Sequence, residues 1–253
     1  LEAFHRALES RGYDLAVYIS GTGKEHGMKV LKRLVASMVD GIINFQPDIS
    51  VEDADQATGP VPTVTFLRPH QDSPAYLNIE AGVATAMAHL WDLGHRRIGF
   101  IGGERIKSPE MPRDPQVASY EEFLQTRNAF DLELCIMSEG RFCDGIAHIE
   151  ALWKSGVTAI AAANDEVAAG VLSWAHGAGI RTPQELSVVG FDDSELAKLV
   201  TPTLTSVRFP YQEIADITAD AIIGLVNGEP LPPHVIIEPI LIERKSTAPA
   251  PQR

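Results

Sequence analysis

Thr158-Ala-Ile-Ala-Ala-Ala163 and Leu186-Ser-Val-Val-Gly-Phe191 are two short apolar runs, and residues 165–178 between them carry helical periodicity. Strand, helix and strand in that order form a βαβ unit, which requires parallel strands and a right-handed helical crossover. The rhythm extends toward the amino terminus through a helix near 81–93, a strand at 97–102, a helix at 117–128, a strand at 133–137 and a helix at 145–155. Further upstream, Met28, Leu31, Leu34, Val35 and Met38 form a helical stripe, followed by the strand Gly41-Ile-Ile-Asn-Phe45, an acidic loop and Val61-Pro-Thr-Val-Thr-Phe66. The chain opens with Leu1, Phe4 and Leu8 at helical spacing before Gly12, and Leu15-Ala-Val-Tyr-Ile19 reads as a buried strand. Beyond Asp192 the pattern loosens through Thr201-Pro-Thr-Leu-Thr205, resumes as a helix near 211–227 and ends in a strand near 235–242, with a flexible tail from Ala248 to Arg253. Such alternation predicts an α/β fold with parallel sheets.

The 253 residues exceed what one small core accommodates, so two lobes are expected. An apolar fraction of 45%, a charged fraction of 22% and dispersed Gly and Pro exclude disordered, collagenous and coiled-coil classes. The net charge of −13 repels a phosphate backbone, so this chain alone is a poor partner for nucleic acid. Cys135 and Cys143 form no Cys-x-x-Cys pair, and no apolar run is long enough for a spanning helix or forms a signal peptide. A cytoplasmic location without membrane contact is expected.

The familiar routes to chemistry are poorly supported. Gly21-Thr-Gly23-Lys-Glu-His26 sits between a strand and a helix, but His26 occupies the third glycine position of a dinucleotide fingerprint. No Walker loop, Gly-x-Ser-x-Gly elbow or His-Glu-x-x-His helix occurs. His89 and His95 are not spaced for one helical face, and neither cysteine has the setting of a nucleophile. No metal or cofactor is expected, and the absence of these motifs weakens an enzyme reading while leaving it open.

Polar groups concentrate at the carboxyl ends of two apolar strands, as Asn164-Asp165 and Asp192-Asp193. Open parallel sheets place ligand crevices there. An amide that donates and accepts, beside a carboxylate that accepts twice, suits a polyhydroxylated ligand. The same residue types cap helices, so ligand binding and capping stand about even on this chemistry alone.

His89-Leu-Trp-Asp-Leu-Gly94-His95-Arg-Arg-Ile98-Gly-Phe-Ile101-Gly-Gly103, Ala163-Asn-Asp-Glu-Val-Ala168-Ala-Gly170 and Ser187-Val-Val-Gly-Phe-Asp-Asp-Ser194 resemble successive signatures of the lactose-repressor family of bacterial transcription regulators. Pro202-Thr-Leu-Thr-Ser-Val207 and Glu243-Arg-Lys-Ser-Thr247 are similar to its later segments. The resemblance spans nearly the whole chain. It implies a type I periplasmic-binding-protein-like fold of two Rossmann-like lobes, residues 1–77 plus 209–236 and 78–208 plus 237–253, with a ligand cleft between. It implies an effector-sensing and dimerisation core, with a sugar as the expected small-molecule effector, a homodimer as the assembly and operator DNA reached only through a helix-turn-helix domain. That domain, and the core's usual first strand, are expected to be absent from this chain. Asn164 and Asp192 fall on the family's ligand-binding Asn and Asp, Phe142 on a stacking aromatic, Tyr211 on a second pocket aromatic, and Arg68 on a retained cleft Arg. Leu67 and Asn78-Ile79 depart from the family pattern, and Gln116 stands where an effector-binding Arg is usual, with Arg113 three residues earlier as its expected substitute. The alternative is a solute-binding protein of a sugar transport system, which shares the fold.

Overall fold

The computed structural model describes residues 1–19, 23–45, 49–65, 74–103 and 114–252, apart from the side chains of residues 51 and 76. The chain divides into two compact units, Leu1–Leu77 with Pro210–Ile237, and Asn78–Phe209 with Glu238–Arg253.

The first unit contains α1 (Glu2–Glu9), α2 (Lys24–Ala36), β1 (Ile42–Asn44), α3 (Val51–Thr58), β2 (Thr63–Thr65) and β3 (Ala75–Leu77). Its later excursion adds α9 (Tyr211–Val226) and β9 (Val235–Ile237). β1 pairs in parallel with β2, and β3 in parallel with β9. The acidic stretch expected to be a loop contains α3, because Ser50 and Asp53 close a reciprocal capping box at its start. Arg11 holds α1 to α9 through Asp216 and Asp220 at 3.0 and 2.6 Å.

The second unit contains α4 (Ile79–Asp92), β4 (Ile98–Ile101), α5 (Pro115–Gln125), β5 (Cys135–Ile136), α6 (Phe142–Lys154), β6 (Ala159–Ala162), α7 (Asp165–Gly177), β7 (Ser187–Phe191), α8 (Glu195–Leu199), β8 (Thr205–Arg208) and β10 (Ile240–Ile242). These strands make one sheet in the order β10-β8-β7-β6-β4-β5, parallel except for β10 against β8. Every residue of β4, β6 and β7 is buried, as in a parallel sheet covered on both faces. Ile101, Ile149, Leu152, Ile160, Val171 and Val188 belong to one core cluster. Each such side chain contributes about 1.5–3 kcal/mol by burial, against roughly 1 for a helix cap, so packing rather than capping sets this unit's stability.

Three further expectations need correction. Leu15–Ile19 is not a buried strand: Ile19 is 92% exposed, and no backbone bond joins the segment to another described residue. An apolar run supplies the pattern of a strand, but pairing requires a partner. Residues 235–242 are two strands in different units, β9 and β10, interrupted at Glu238-Pro239 where the ring nitrogen cannot donate to a ladder. The tail is not loose at Ala248–Ala250, because Ala248 O bonds to the His95 ring at 3.0 Å and Ala250 N to Leu93 O at 2.8 Å.

Candidate functional site

In the second unit the chain passes from β4 to β5 on one side and then to β6 on the other side of β4. Loops leaving β4 and β6 therefore diverge, and open sheets bind ligands at such a switch point, beyond the carboxyl ends of the strands. Registers pair Ile101 with Ala162 and Ala161 with Val189. Continued past the strand ends, they bring Gly103, Asn164 and Asp192 level in one row.

The sequence makes that row accessible. Gly102 has φ +141°, and a Cβ there would lie 2.0 Å from the Ala163 Cβ, so only glycine lets β4 end against β6 in this way. Asn164 is half-buried and is the N-cap of α7. Its Oδ1 accepts from Val167 N at 2.9 Å, and its Nδ2 donates to Gly140 O at 2.8 Å. Capping is thus real, yet each half of the amide has further hydrogen-bonding capacity. Gln116 Nε2 donates to Ala163 O at 3.0 Å, bringing α5 to the same edge. Phe142, 43% exposed, opens α6, and its carbonyl lies against Gly170, where a Cβ would come within 2.1 Å.

Asp192 follows β7 with φ 95°, and Asp193 follows with φ 48°. Two successive left-handed non-glycine residues cost on the order of 1–3 kcal/mol each and persist only where neighbours impose them. Asp192 N donates to Val207 O at 2.8 Å, and Asp193 N donates to Ser206 Oγ at 3.1 Å. Ser194 is the N-cap residue of α8, so Asp192 does not occupy that position. Ser194 N and Oγ donate to Asp165 Oδ2 at 2.6 and 2.8 Å, and Ser206 Oγ donates to Asp165 Oδ1 at 2.6 Å. Burial pushes the Asp165 carboxyl above its ordinary range, against these hydrogen bonds, which favour the ionised form. The Asp193 side chain is 1% exposed and forms ion pairs with Arg208 and Arg244, the Arg208 Nε lying 2.6 Å from Oδ2. The Arg244 Nη2 contact with Oδ1, at 2.6 Å, is an ion pair without aligned hydrogen-bond geometry.

Gln116, Phe142, Asn164 and Asp192 thus share one edge of the second unit's sheet. Tyr211, 39% exposed, begins α9 of the first unit. Arg68 and Arg113, like Leu67, lie outside the described residues. Sequence reasoning missed the support that Ser206, Arg208 and Arg244 give beneath the row. Asp165 was legible as a polar residue at a strand end, open to ligand binding or capping, and here it braces the Ser194 turn, while Arg208 and Arg244 carry no local signature. Among the described residues no cluster of three or more His, Cys, Asp or Glu could hold a metal ion.

Residues 87–247 match the periplasmic binding protein-like domain family, which is more than half of the chain. Catabolite control protein A of Priestia megaterium is 27% identical over 93% of this chain and 73% of its own length. The ribose operon repressor of Escherichia coli is 27% identical over 95% of this chain and 75% of its own length. The crystal structure of a LacI family transcriptional regulator from Mycobacterium smegmatis superposes with a TM-score of 0.80 at 27% identity, covering 98% of this chain and 92% of that one. The chain belongs to the lactose-repressor family. Its fold is the periplasmic-binding-protein-like α/β fold of that family, with a mostly parallel sheet. Membership in the lactose-repressor family places the chain with transcriptional regulators and sets the transport reading aside. No helix among the described residues is long and apolar enough to cross a membrane.

Proposed function

We propose that this chain is the effector-sensing and dimerisation core of a cytoplasmic, sugar-responsive transcription regulator, acting without catalysis on a DNA-binding domain outside these residues. The level row of Asn164 and Asp192 at the β4/β6 and β7 strand ends carries the reading. A half-buried amide with capacity left over and a neighbouring carboxylate together match the donors and acceptors of sugar hydroxyls. Phe142 offers a ring face to the apolar side of a pyranose or furanose. A ribose operon repressor among the relatives supports a carbohydrate over other small molecules. The family resemblance adds Tyr211, Arg68, Arg113 and Gln116 as further candidate effector-binding residues. The −13 charge agrees with operator contact made elsewhere in the protein. A ligand regulates only through its different affinity for two states of the regulator, so the effector must bind one arrangement of the core more tightly.

The test screens neutral mono- and disaccharides and purines by thermal shift, then titrates the best ligand calorimetrically into wild type and Asp192→Ala. Loss of a charged hydrogen-bond partner costs roughly 1.5–3 kcal/mol, so the variant should bind about ten- to a hundredfold more weakly. A purine that stabilises more than every sugar would overturn the carbohydrate assignment. Equal affinities would remove Asp192 from the site.

A further inference from the structure

We infer that Asp193 is a positioning residue for effector binding, fixing the Asp192 turn to β8 and β10, the strands beside two of the three points where the chain passes between its units. The inference rests on the proposed role of Asp192 and deepens it. Chain connectivity supplies the setting: the chain enters the second unit at Asn78, leaves it after β8 at Phe209 and re-enters at Glu238 just before β10. β8 and β10 are antiparallel neighbours, with Ile240 opposite Arg208 and Ile242 opposite Ser206. Arg208 is the last residue of β8, and Arg244 follows β10 by two residues. Both guanidinium groups converge on the Asp193 carboxylate. Arg244 is itself anchored, its Nη1 donating to Leu204 O at 2.6 Å and its backbone N to Thr205 Oγ1 at 2.9 Å.

The same carboxylate fixes a backbone that would not hold itself. Asp192 and Asp193 both lie at positive φ, a region that L-residues leave readily when unsupported. With Asp193 pulled inward between the two arginines, Asp192 is left one residue past the β7 end and level with Asn164. Asp165 and Ser206 brace the turn from the other side through Ser194 and the Asp193 amide. A buried carboxylate held by two arginines is a weak source of net stability, since its desolvation offsets much of the attraction. Geometric constraint is what this arrangement supplies.

Two readouts on the full chain test it, using Asp193→Asn, Arg208→Ala and Arg208→Lys. Arg208 is 42% exposed, so its variants should fold even where Asp193→Asn does not. Amide hydrogen exchange needs no ligand: exchange at Asp192 should quicken about tenfold or more in Asp193→Asn and Arg208→Ala, with Ile160 and Ala161 in β6 unchanged. Unchanged exchange at Asp192 in both variants overturns the proposal. Calorimetry then uses the best-binding member of a panel of D-ribose, D-galactose, D-glucose and cellobiose. Affinity should fall about tenfold in Arg208→Ala and recover largely in Arg208→Lys, as expected if the cation positions and does not merely fill space. In a double-mutant cycle, Asp193→Asn should weaken binding no further once Asp192 is replaced by Gly. Additive losses would show that Asp193 acts independently and overturn the proposal. If wild type binds no sugar, or Asp192→Ala binds as wild type does, the functional reading fails and takes the positioning role with it, whereas affinity that depends on Asp192 but not on Arg208 or Asp193 overturns the positioning role alone.

Discussion

At the amino edge of the six-stranded sheet, His95 is fully buried between the starts of β4, β6 and β7, whereas at the carboxyl edge Asn164 and Asp192 are only half-buried. Around His95 the polar groups close on themselves. Nδ1 lies 2.9 Å from Thr158 Oγ1, and Nε2 lies 3.1 Å from Ser187 Oγ and 3.0 Å from Ala248 O. A carbonyl can only accept, so the proton belongs on Nε2 and Nδ1 accepts from the Thr158 hydroxyl. At the opposite edge the hydrogen bonds instead hold backbone in left-handed conformations, and Phe142 lies exposed nearby. One edge spends its polar groups on fixing the tail. The other spends them on presenting side chains, which is the difference between a structural network and a site.

Replacing His95 should give the largest effect and should touch stability alone. His95→Leu removes the ring from the part-buried Thr158 hydroxyl and Ala248 carbonyl, of which the carbonyl keeps Ser187 Oγ at 3.3 Å, at about 1–3 kcal/mol for each hydrogen bond lost. Denaturant melts should show a loss of roughly 3–4 kcal/mol, with sugar affinity in the folded protein unchanged. A parallel fall in affinity would mean that the two edges are coupled through the sheet and would break the contrast.

Asp192→Gly should do the reverse. Removing the carboxylate should lower sugar affinity by about 1.5–3 kcal/mol, read by calorimetry. Glycine accepts φ 95° without strain, so melts should show Asp192→Gly more stable than Asp192→Ala by about 1 kcal/mol. Comparison with Asp192→Ala sharpens the point, because alanine loses the same carboxylate but keeps the backbone penalty. Stability lost in both variants with affinity kept would place Asp192 among the structural residues, alongside His95.

The strands that build this edge were legible because β4, β6 and β7 are buried on both faces, which writes continuous apolar runs into the sequence. Asn164 and Asp192 were legible because polar residues follow those runs directly. The Arg208–Asp193–Arg244 cluster was not, since its members meet only when β8 and β10 pair, and single-residue chemistry cannot reveal that. Leu15–Ile19 failed for the opposite reason: its pattern is that of a strand, but pattern does not supply a partner. β8 escaped notice because Thr205 and Ser206, both fully buried, break the apolar run, their hydroxyls serving Arg244, Thr247 and Asp165.

The smallest effect is one of slope, and it sets the two edges in opposition. Burial holds His95, and His89 beside Thr247, below the ordinary imidazole value of 6.5. The folded protein then binds these protons less readily than the unfolded chain, so their contribution is fully present above pH 6.5 and is lost as pH falls through the lower folded values. Burial raises Asp165 above 3.8, so its contribution is present below that pH and is lost as pH rises through the folded value. Urea melts from about pH 5 to 8 should therefore show stability falling on the acid side for wild type, where the histidines charge. His95→Gln should flatten that acid limb, and His89→Gln should remove a further part. Asp165→Asn should lower stability at every pH, because its amide nitrogen cannot accept from Ser194 or Ser206, and should also remove the loss that accompanies rising pH. An acid limb as steep in the His89→Gln, His95→Gln double variant as in wild type would show that the amino edge does not titrate, leaving the closed network around His95 without the electrostatic consequence its burial requires.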